Sequence, residues 1–154
     1  MSVAANPYLR PPYGPVDGEL TALDLPIRGE IPRDLSGVYA RNGPNARFAP
    51  QGAYHWFDGD GMLHVVGFRD GKAFYRNRFV QTDGFVAENA AGGPLWPGLA
   101  EPLSLARVDH GWGARTLLKD ASSTDVVVHR GTALSSLYQC GDLYRVDPLT
   151  AETL

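Results

Sequence analysis

Residues 62–80 read MLHVVGFRDGKAFYRNRFV, which is two β-rich runs joined by the pair Asp70-Gly71. Asp-Gly is a preferred pair in type I′ hairpin turns, because both positions of that turn need a positive φ. The runs at 62–68 and 73–80 have the length of ordinary strands. This stretch therefore predicts a β-hairpin, and the rest of the chain is interpreted outward from it.

Other short runs of the same kind predict further strands, at 38–41, 53–57, 124–129, 132–139 and 143–147. Arg130-Gly131 occupies the hairpin position between two of them, although Arg is a poorer first turn residue than Asp. Asp147-Pro148 closes the last run, because Pro favours the second position of a turn. Residues 151–154 look like the start of a fourth strand. A sheet that stopped there would leave an unpaired edge, so the sequence predicts a truncated chain.

Glycine and proline, 18 and 12 in number, are spread along the whole chain and disfavour long helices. Residues 1–37 are rich in proline and predict an extended N-terminal strap that packs on the outside of a larger body. Residues 38–154 form the first part of a β domain. Within it, residues 84–113 are expected to be irregular, and Pro102 argues against a helix at 99–106. The expected fold class is all-β.

Composition excludes several classes of protein. The 154 residues carry a net charge of -3 and no basic run, so nothing indicates a nucleic-acid interface. Cys140 is the single cysteine, which excludes an internal disulfide and favours a reducing compartment, so a cytoplasmic location is expected. Residues 1–10 lack the apolar stretch of a signal peptide, and no apolar run is long enough to span a membrane. Peripheral contact with a membrane remains open.

Four phrases then follow one another in the first half of the chain: NPYL at 6–9, GEIPRDLSGVY at 29–39, RNGPN at 41–45 and HWFDGDGMLH at 55–64. Together and in this order they resemble the start of the carotenoid cleavage oxygenase family. That family includes apocarotenoid oxygenases, stilbene-cleaving dioxygenases and the retinoid isomerase of the eye. The phrases STDVVVH at 123–129 and YRVDP at 144–148 resemble its next stretches, so the resemblance covers nearly all of the chain from about residue 6.

The resemblance implies a seven-bladed β-propeller, of which this chain would be an incomplete part. It also implies an Fe(II) ion on the propeller axis, held by four histidines, several of them supported by glutamates. Such a protein uses dioxygen to split a carbon–carbon double bond of an apolar conjugated substrate. In the family the first ligand histidine lies beyond the segment that matches residues 144–154. No metal ligand and no catalytic residue is therefore expected here, and the isolated chain is expected to be inactive.

The histidines of the chain are His55, His64, His110 and His129. Neutral imidazoles are suitable iron ligands, but the spacing of these four does not converge on a site. None matches a ligand position of the family. We interpret all four as structural or surface residues.

The acidic run Asp58-Gly59-Asp60-Gly61 does not fit calcium, because an EF-hand counted from Asp58 lacks the required glycine and the final acid. Two acids this close in a turn also cannot face each other across a sugar, which excludes a glycosidase pair. We interpret the run as a turn whose aspartates cap it and whose glycines supply positive φ. RNGPN at 41–45 is likewise interpreted as a turn that ends a strand, with substrate contact as the alternative.

Gln139 is the residue that departs most informatively from the family. Many members have a glutamate at the matching position, which accepts a hydrogen bond from a ligand histidine. Gln139 could be a neutral partner of that histidine, or a buried strand residue that pairs with backbone. Stilbene-cleaving members have a lysine at the preceding position. This chain has Tyr138 there, which argues against a stilbene substrate and leaves the substrate open. Cys140 is expected to be a buried, unreactive thiol.

An apolar set in the irregular segment consists of Leu95, Trp96, Leu99, Leu103 and Leu105. In the family the corresponding region lies near a membrane-facing entrance to a hydrophobic tunnel, whereas the simpler interpretation is ordinary packing. A second function also remains open for the whole chain. It could be a self-sufficient β domain that binds a partner or an apolar ligand without catalysis.

Overall fold

The computed structural model describes residues 6–109, 118–138 and 141–154. Two antiparallel sheets dominate this part of the chain, in agreement with the expected all-β class. Sheet 1 has the order β1-β4-β3-β2, and its strands are β1 (Leu20–Ala22), β2 (Gly37–Asn45), β3 (Asp60–Arg69) and β4 (Lys72–Phe79). Sheet 2 has the order β5-β6-β7, and its strands are β5 (Asp125–His129), β6 (Thr132–Ser136) and β7 (Tyr144–Val146).

Both predicted hairpin turns are confirmed. Asp70 and Gly71 have φ angles of 52° and 76°, and the pair Arg69–Lys72 closes the ladder between β3 and β4. Arg130 and Gly131 have φ angles of 50° and 79° between β5 and β6. Two consecutive positive φ angles define the type I′ turn, so arginine occupies here a conformation that favours asparagine, aspartate or glycine.

One strand assignment and one turn assignment in this part of the chain were wrong. Residues 53–57 do not form a strand, because the His55 ring accepts a hydrogen bond from the Phe57 amide and caps a 3₁₀ turn at Trp56–Asp58. The phrase RNGPN at 41–45 does not form a turn, because it belongs entirely to β2. Pro44 is tolerated there because β2 is an edge strand of sheet 1, where a missing backbone donor costs little.

The chain also contains a helix that the sequence analysis assigned to irregular structure. Helix α1 spans Asp83–Ala91. The Thr82 hydroxyl accepts a hydrogen bond from the Phe85 amide at its start, and Gly92 ends it with a left-handed φ of 71°. These are ordinary capping features, and they outweigh the glycine-rich surroundings.

The N-terminal strap contributes to sheet 1 through β1, which pairs with β4. Asn45 also fixes the strap, since its side chain accepts from the Val16 amide at 2.8 Å and donates to the Val16 carbonyl at 3.1 Å. At the other end, Thr153 forms a single bridge to Val146 in β7. The start of a fourth strand, predicted at 151–154, is thus confirmed only as a single bridge beside β7.

One apolar core joins the two sheets. Leu63 and Val65 of β3 pack in the same buried cluster as Ala133 of β6 and Val146 of β7. Because apolar side chains from both sheets are buried together, neither sheet can lose its packing without exposing the other. Within the described residues, no helix has the length and the apolar character needed to cross a membrane.

Candidate functional site

A groove of about 490 Å³ runs along the seam between the two sheets. We call it the seam groove. Its walls come from β2 and the following 3₁₀ turn on one side, and from the segment before β5 and the end of β6 on the other. The residues that matter here are Arg41, Asn42, Trp56, Phe57, Ser123 and Tyr138.

Aromatic rings form much of the wall of the seam groove. The rings of Phe57 and Tyr138 meet edge to face with their centroids 6.0 Å apart. Trp56 is stacked on Tyr8 of the strap, with 4.9 Å between the ring centroids. Phe57 and Tyr138 are 38% and 63% exposed, so part of each ring remains open to a ligand. Such a surface suits a flat, apolar molecule.

Ser123 is a buried polar residue beneath this aromatic surface. It is only 1% exposed, and its hydroxyl has no hydrogen-bond partner among residues 6–109, 118–138 and 141–154. The adjacent Thr124 hydroxyl accepts a hydrogen bond from the Tyr138 amide at 3.0 Å and so fixes the backbone beside that ring. The Ser123 oxygen has almost no accessible surface, so the hydroxyl lies beneath the groove wall and does not reach a ligand in the groove.

The histidines of the described chain each have a local environment of their own. His55 caps the 3₁₀ turn, His64 shares a hydrogen bond of 2.8 Å between its Nδ1 and the Tyr75 hydroxyl, and His129 is exposed at the end of β5. Among the described residues, no group of three or more His, Cys, Asp or Glu side chains could hold a metal ion. The residues present therefore do not fit a four-histidine iron site. His110 lies outside the described residues.

His64 makes the stability of the fold depend on pH. Burial, together with the positive charge of Arg41, lowers the pKa of His64 to about 4. In the unfolded chain this pKa is about 6.5, so between these values the unfolded state binds more protons than the folded state. The free energy of unfolding should therefore fall as the pH decreases from about 6.5 to about 4.

Chemical denaturation at several pH values measures this effect in the wild type and in His64→Gln. We expect the variant to lose less stability over the same pH interval. His129→Gln, which changes an exposed histidine, should follow the wild type. An unchanged pH slope in His64→Gln would show that another group titrates.

A second cavity, of about 120 Å³, lies beyond Phe57, and Asp58 and Lys119 are in its wall. Asp58 accepts hydrogen bonds from the His55 and Leu99 amides, both at 2.7 Å, and burial raises its pKa. Asp58 thus caps backbone, as predicted, whereas Asp60 is the first residue of β3 and forms an ion pair with Lys119 instead of capping the turn. The assignment of positive φ to the glycines of the DGDG run was wrong: Gly59 has a φ of -68°, and Gly61 is not among the residues with positive φ.

These two glycines are needed for close approach instead. A Cβ atom on Gly59 would come within 2.6 Å of the Asn45 amide nitrogen, and one on Gly61 would meet the Ala121 carbonyl oxygen at 2.9 Å. Both contacts are with backbone, which cannot move aside easily. Glycine therefore lets the start of β3 lie directly against its neighbours.

A buried charged group that the sequence analysis did not find lies beside this cavity. The ammonium of Lys119 forms ion pairs with Asp60 of β3 and, at 2.6 Å, with Glu88 of α1. We call these three residues the charge triad. The carboxylates are 5% exposed and Lys119 is 12% exposed. Burial alone would lower the pKa of Lys119, but the two carboxylates outweigh burial and raise it.

The charge triad also holds the segment after α1. Glu88 accepts a hydrogen bond from the Leu95 amide at 2.8 Å. In that segment Trp96 is buried, whereas Leu99, Leu103 and Leu105 are 36%, 39% and 52% exposed. Of the apolar residues named in the sequence analysis, Trp96 is therefore packed in the interior, and these three leucines are partly exposed. Gln139 and Cys140 lie outside the described residues.

Comparisons with known proteins show which family the chain resembles in sequence and fold. The family described as RPE65, retinal pigment epithelial membrane protein, matches residues 13–154. A carotenoid cleavage oxygenase of Mycobacterium tuberculosis is 44% identical over 133 residues, which are 84% of this chain and 24% of that protein. A lignostilbene-alpha,beta-dioxygenase isozyme of Sphingomonas paucimobilis is 34% identical over 139 residues, which are 90% of this chain and 27% of that protein.

Solved structures show the same relationship. A lignostilbene dioxygenase of Pseudomonas brassicacearum superposes with a TM-score of 0.81 and 29% identity, over 97% of this chain and 30% of its own. A variant of the Synechocystis apocarotenoid oxygenase gives a TM-score of 0.72 and 28% identity, over 91% of this chain and 29% of its own. The chain thus spans less than a third of these relatives. It belongs to the RPE65, or carotenoid cleavage oxygenase, family.

Proposed function

We propose that this chain is the N-terminal part of a non-haem iron(II) dioxygenase that cleaves a carbon–carbon double bond of an apolar conjugated substrate, such as a carotenoid or an apocarotenoid. Its relatives are named as carotenoid and lignostilbene dioxygenases, which supports the reaction class. The observation that carries the proposal is the seam groove, whose wall includes the partly exposed rings of Phe57 and Tyr138. In this account sheets 1 and 2 are the first two blades of a seven-bladed propeller.

The role of the chain in this enzyme is to bind and orient substrate, not to hold the metal. The described histidines are engaged locally or exposed, so we propose that the iron ligands lie outside these residues. Iron would supply the activation of dioxygen in the whole enzyme. On its own the chain is expected neither to hold iron nor to turn over substrate.

Gln139 remains our candidate for a neutral hydrogen-bond partner of a ligand histidine. A carboxylate at such a position raises the basicity of the imidazole and typically changes metal affinity by roughly 10–100-fold when lost. In the whole enzyme, Gln139→Glu should therefore bind iron more tightly. Equal iron affinity in the two forms would remove Gln139 from this role.

Binding of an apocarotenal, a conjugated polyene that ends in a carbonyl, tests the seam groove directly. Quenching of tryptophan fluorescence reports binding to this chain. Phe57→Ala and Tyr138→Ala should each raise the Kd by roughly fivefold, because each removes a ring contact worth about 1 kcal/mol.

Tyr39→Ala is the matched control, since it removes a 62% exposed ring from β2 outside the groove. It should leave the Kd unchanged. Equal affinities in all four proteins, or no binding by the wild type, would contradict the proposed site. If this chain binds the apocarotenal but the whole iron-loaded enzyme does not turn it over, a non-catalytic binding domain would be favoured instead.

The exposed leucines lead us to propose peripheral contact with a lipid surface as well. Leu99, Leu103 and Leu105 lie close together on the segment that follows α1, and each is more than a third exposed. Apolar side chains of this kind stabilise interfacial binding in proportion to their buried area. Sedimentation with phosphatidylcholine vesicles should be weakened by Leu105→Ser, and equal sedimentation would exclude this contact.

A further inference from the structure

Arg41 is an exposed residue of β2 that lies in the wall of the seam groove. A Cβ atom added to Gly43 would come within 3.2 Å of a guanidinium nitrogen of Arg41 and within 3.7 Å of its central carbon. Gly43 is itself a lining residue of the groove. The charged end of Arg41, and not only its backbone, therefore lies beside the groove wall, on a residue that solvent and a ligand can reach.

The guanidinium of Arg41 has no carboxylate partner within residues 6–109, 118–138 and 141–154, where the ion pairs involve Arg78 and Lys119 instead. Its charge acts on His64 and Tyr75, which share a hydrogen bond of 2.8 Å with each other. Burial and then this charge lower the pKa of His64 to about 4, and burial raises the pKa of Tyr75. Both neighbours are therefore neutral at pH 7 and leave the charge of Arg41 uncompensated.

The seam groove carries opposite charges on its two walls. Among its described lining residues, Arg41 is the only cation and Asp125 the only anion. Asp125 is exposed at the start of β5, and its carboxylate accepts from the Val126 amide at 2.8 Å. An anionic group in the groove would therefore be attracted to the β2 wall and repelled from the β5 wall. A single charged group in a mainly apolar site sets the orientation of a ligand in this way.

We propose that Arg41 binds the carboxylate of a conjugated ligand whose apolar part lies against Phe57 and Tyr138. This inference rests on the proposed function of the seam groove and makes it more specific. The ligand class that it selects is a conjugated carboxylic acid, in preference to a neutral molecule with the same carbon skeleton. Arginine suits this role because its planar guanidinium can donate two parallel hydrogen bonds to one carboxylate.

The test compares an apocarotenoic acid with its methyl ester, which has the same conjugated chain but no charge. Quenching of tryptophan fluorescence gives the Kd of each probe, and the ratio of the two Kd values cancels the apolar contacts that the probes share. We expect the wild type to prefer the acid by roughly fivefold, which corresponds to about 1 kcal/mol for a solvent-exposed ion pair. The preference should decrease at high salt, because mobile ions screen such a pair.

Arg41→Gln should abolish the preference by raising the Kd of the acid to that of the ester. Arg41→Lys should retain a smaller preference, of roughly twofold, because an ammonium keeps the charge without the planar fork. If Arg41→Gln does not fold, Arg41→Lys replaces it as the test. Arg69→Gln is the matched control, because it removes the same charge from an exposed arginine at the end of β3, outside the groove. It should keep the wild-type preference.

The outcomes distinguish the role of Arg41 from the proposed function. A wild type that binds acid and ester equally overturns the role of Arg41 and leaves the proposed function standing. A preference that survives in folded Arg41 variants, or that is lost equally in Arg69→Gln, overturns it as well, because the net charge of the chain would then attract the acid. A wild type that binds neither probe overturns the proposed function itself.

Discussion

Replacing Lys119 by methionine is expected to destabilise the fold by about 3–5 kcal/mol, because it leaves two buried carboxylates without a positive partner. Asp60 and Glu88 are both only 5% exposed, so bulk water solvates them poorly once the ammonium is gone. This loss is a large fraction of the roughly 5–15 kcal/mol that holds an ordinary domain together. Chemical denaturation of the variant and the wild type gives the difference in unfolding free energy.

Two further variants show whether charge is the cause. Lys72→Met removes an exposed lysine of β4 and should change the stability by less than about 0.5 kcal/mol. Adding Asp60→Asn and Glu88→Gln to Lys119→Met removes the uncompensated charges and should recover part of the loss. A triple variant as unstable as Lys119→Met would mean that packing of the lysine stem, rather than charge, is responsible.

Leu63→Ala is expected to cost about 2–5 kcal/mol, because it opens a cavity in a core that cannot fully collapse around it. Leu63 is 1% exposed and packs in the buried cluster that contains Ala133 and Val146 of sheet 2. Because the core is shared, the loss should reach both sheets. Hydrogen exchange should therefore accelerate in β6 and β7 as well as in β3.

The matched control for this substitution is Leu143→Ala, which shortens a leucine that is 63% exposed. Its unfolding free energy should stay within about 0.5 kcal/mol of the wild type. Faster exchange confined to sheet 1 in Leu63→Ala would show that the sheets are energetically independent, contrary to the shared core.

Turn chemistry made the hairpins predictable from the sequence. A type I′ turn depends on two adjacent residues, and Asp70-Gly71 and Arg130-Gly131 have the required positive φ angles. The strand pairs on either side follow from the turn, because its geometry sets the register. Local information was sufficient for this part of the fold.

Helix α1 and the second half of strand β2 were missed because competing signals obscured them, whereas the strand predicted at 38–41 lies within β2. The capping residues Thr82 and Gly92 were visible in the sequence, but α1 lacks an apolar stripe at helical spacing and lies in a glycine-rich stretch. In β2, Asn42 and Asn45 argued for a turn. The strand includes them nonetheless, and its edge position makes Pro44 harmless. Neither the formation of α1 nor the edge position of β2 could be inferred from the residues of those elements alone.

The contacts that form the candidate site are non-local, which is why sequence reasoning did not find them. Asn42 reaches Ser122 across 80 residues of chain, and Lys119 reaches Glu88 across 31 residues. Periodicity and turn signals describe neighbours in the chain, so they carry no information about such pairs. The resemblance to the family predicted the reaction class, and the placement of Asn42, Ser123 and Lys119 came from the fold.

Metal analysis of the purified chain, after incubation with Fe(II) under nitrogen and removal of free metal, tests the central claim most directly. We expect far less than one iron per chain, because the described histidines are engaged locally or exposed and do not converge. One tightly bound iron per chain, lost when His55, His64 or His129 is replaced, would contradict the claim that the metal centre is built by other residues.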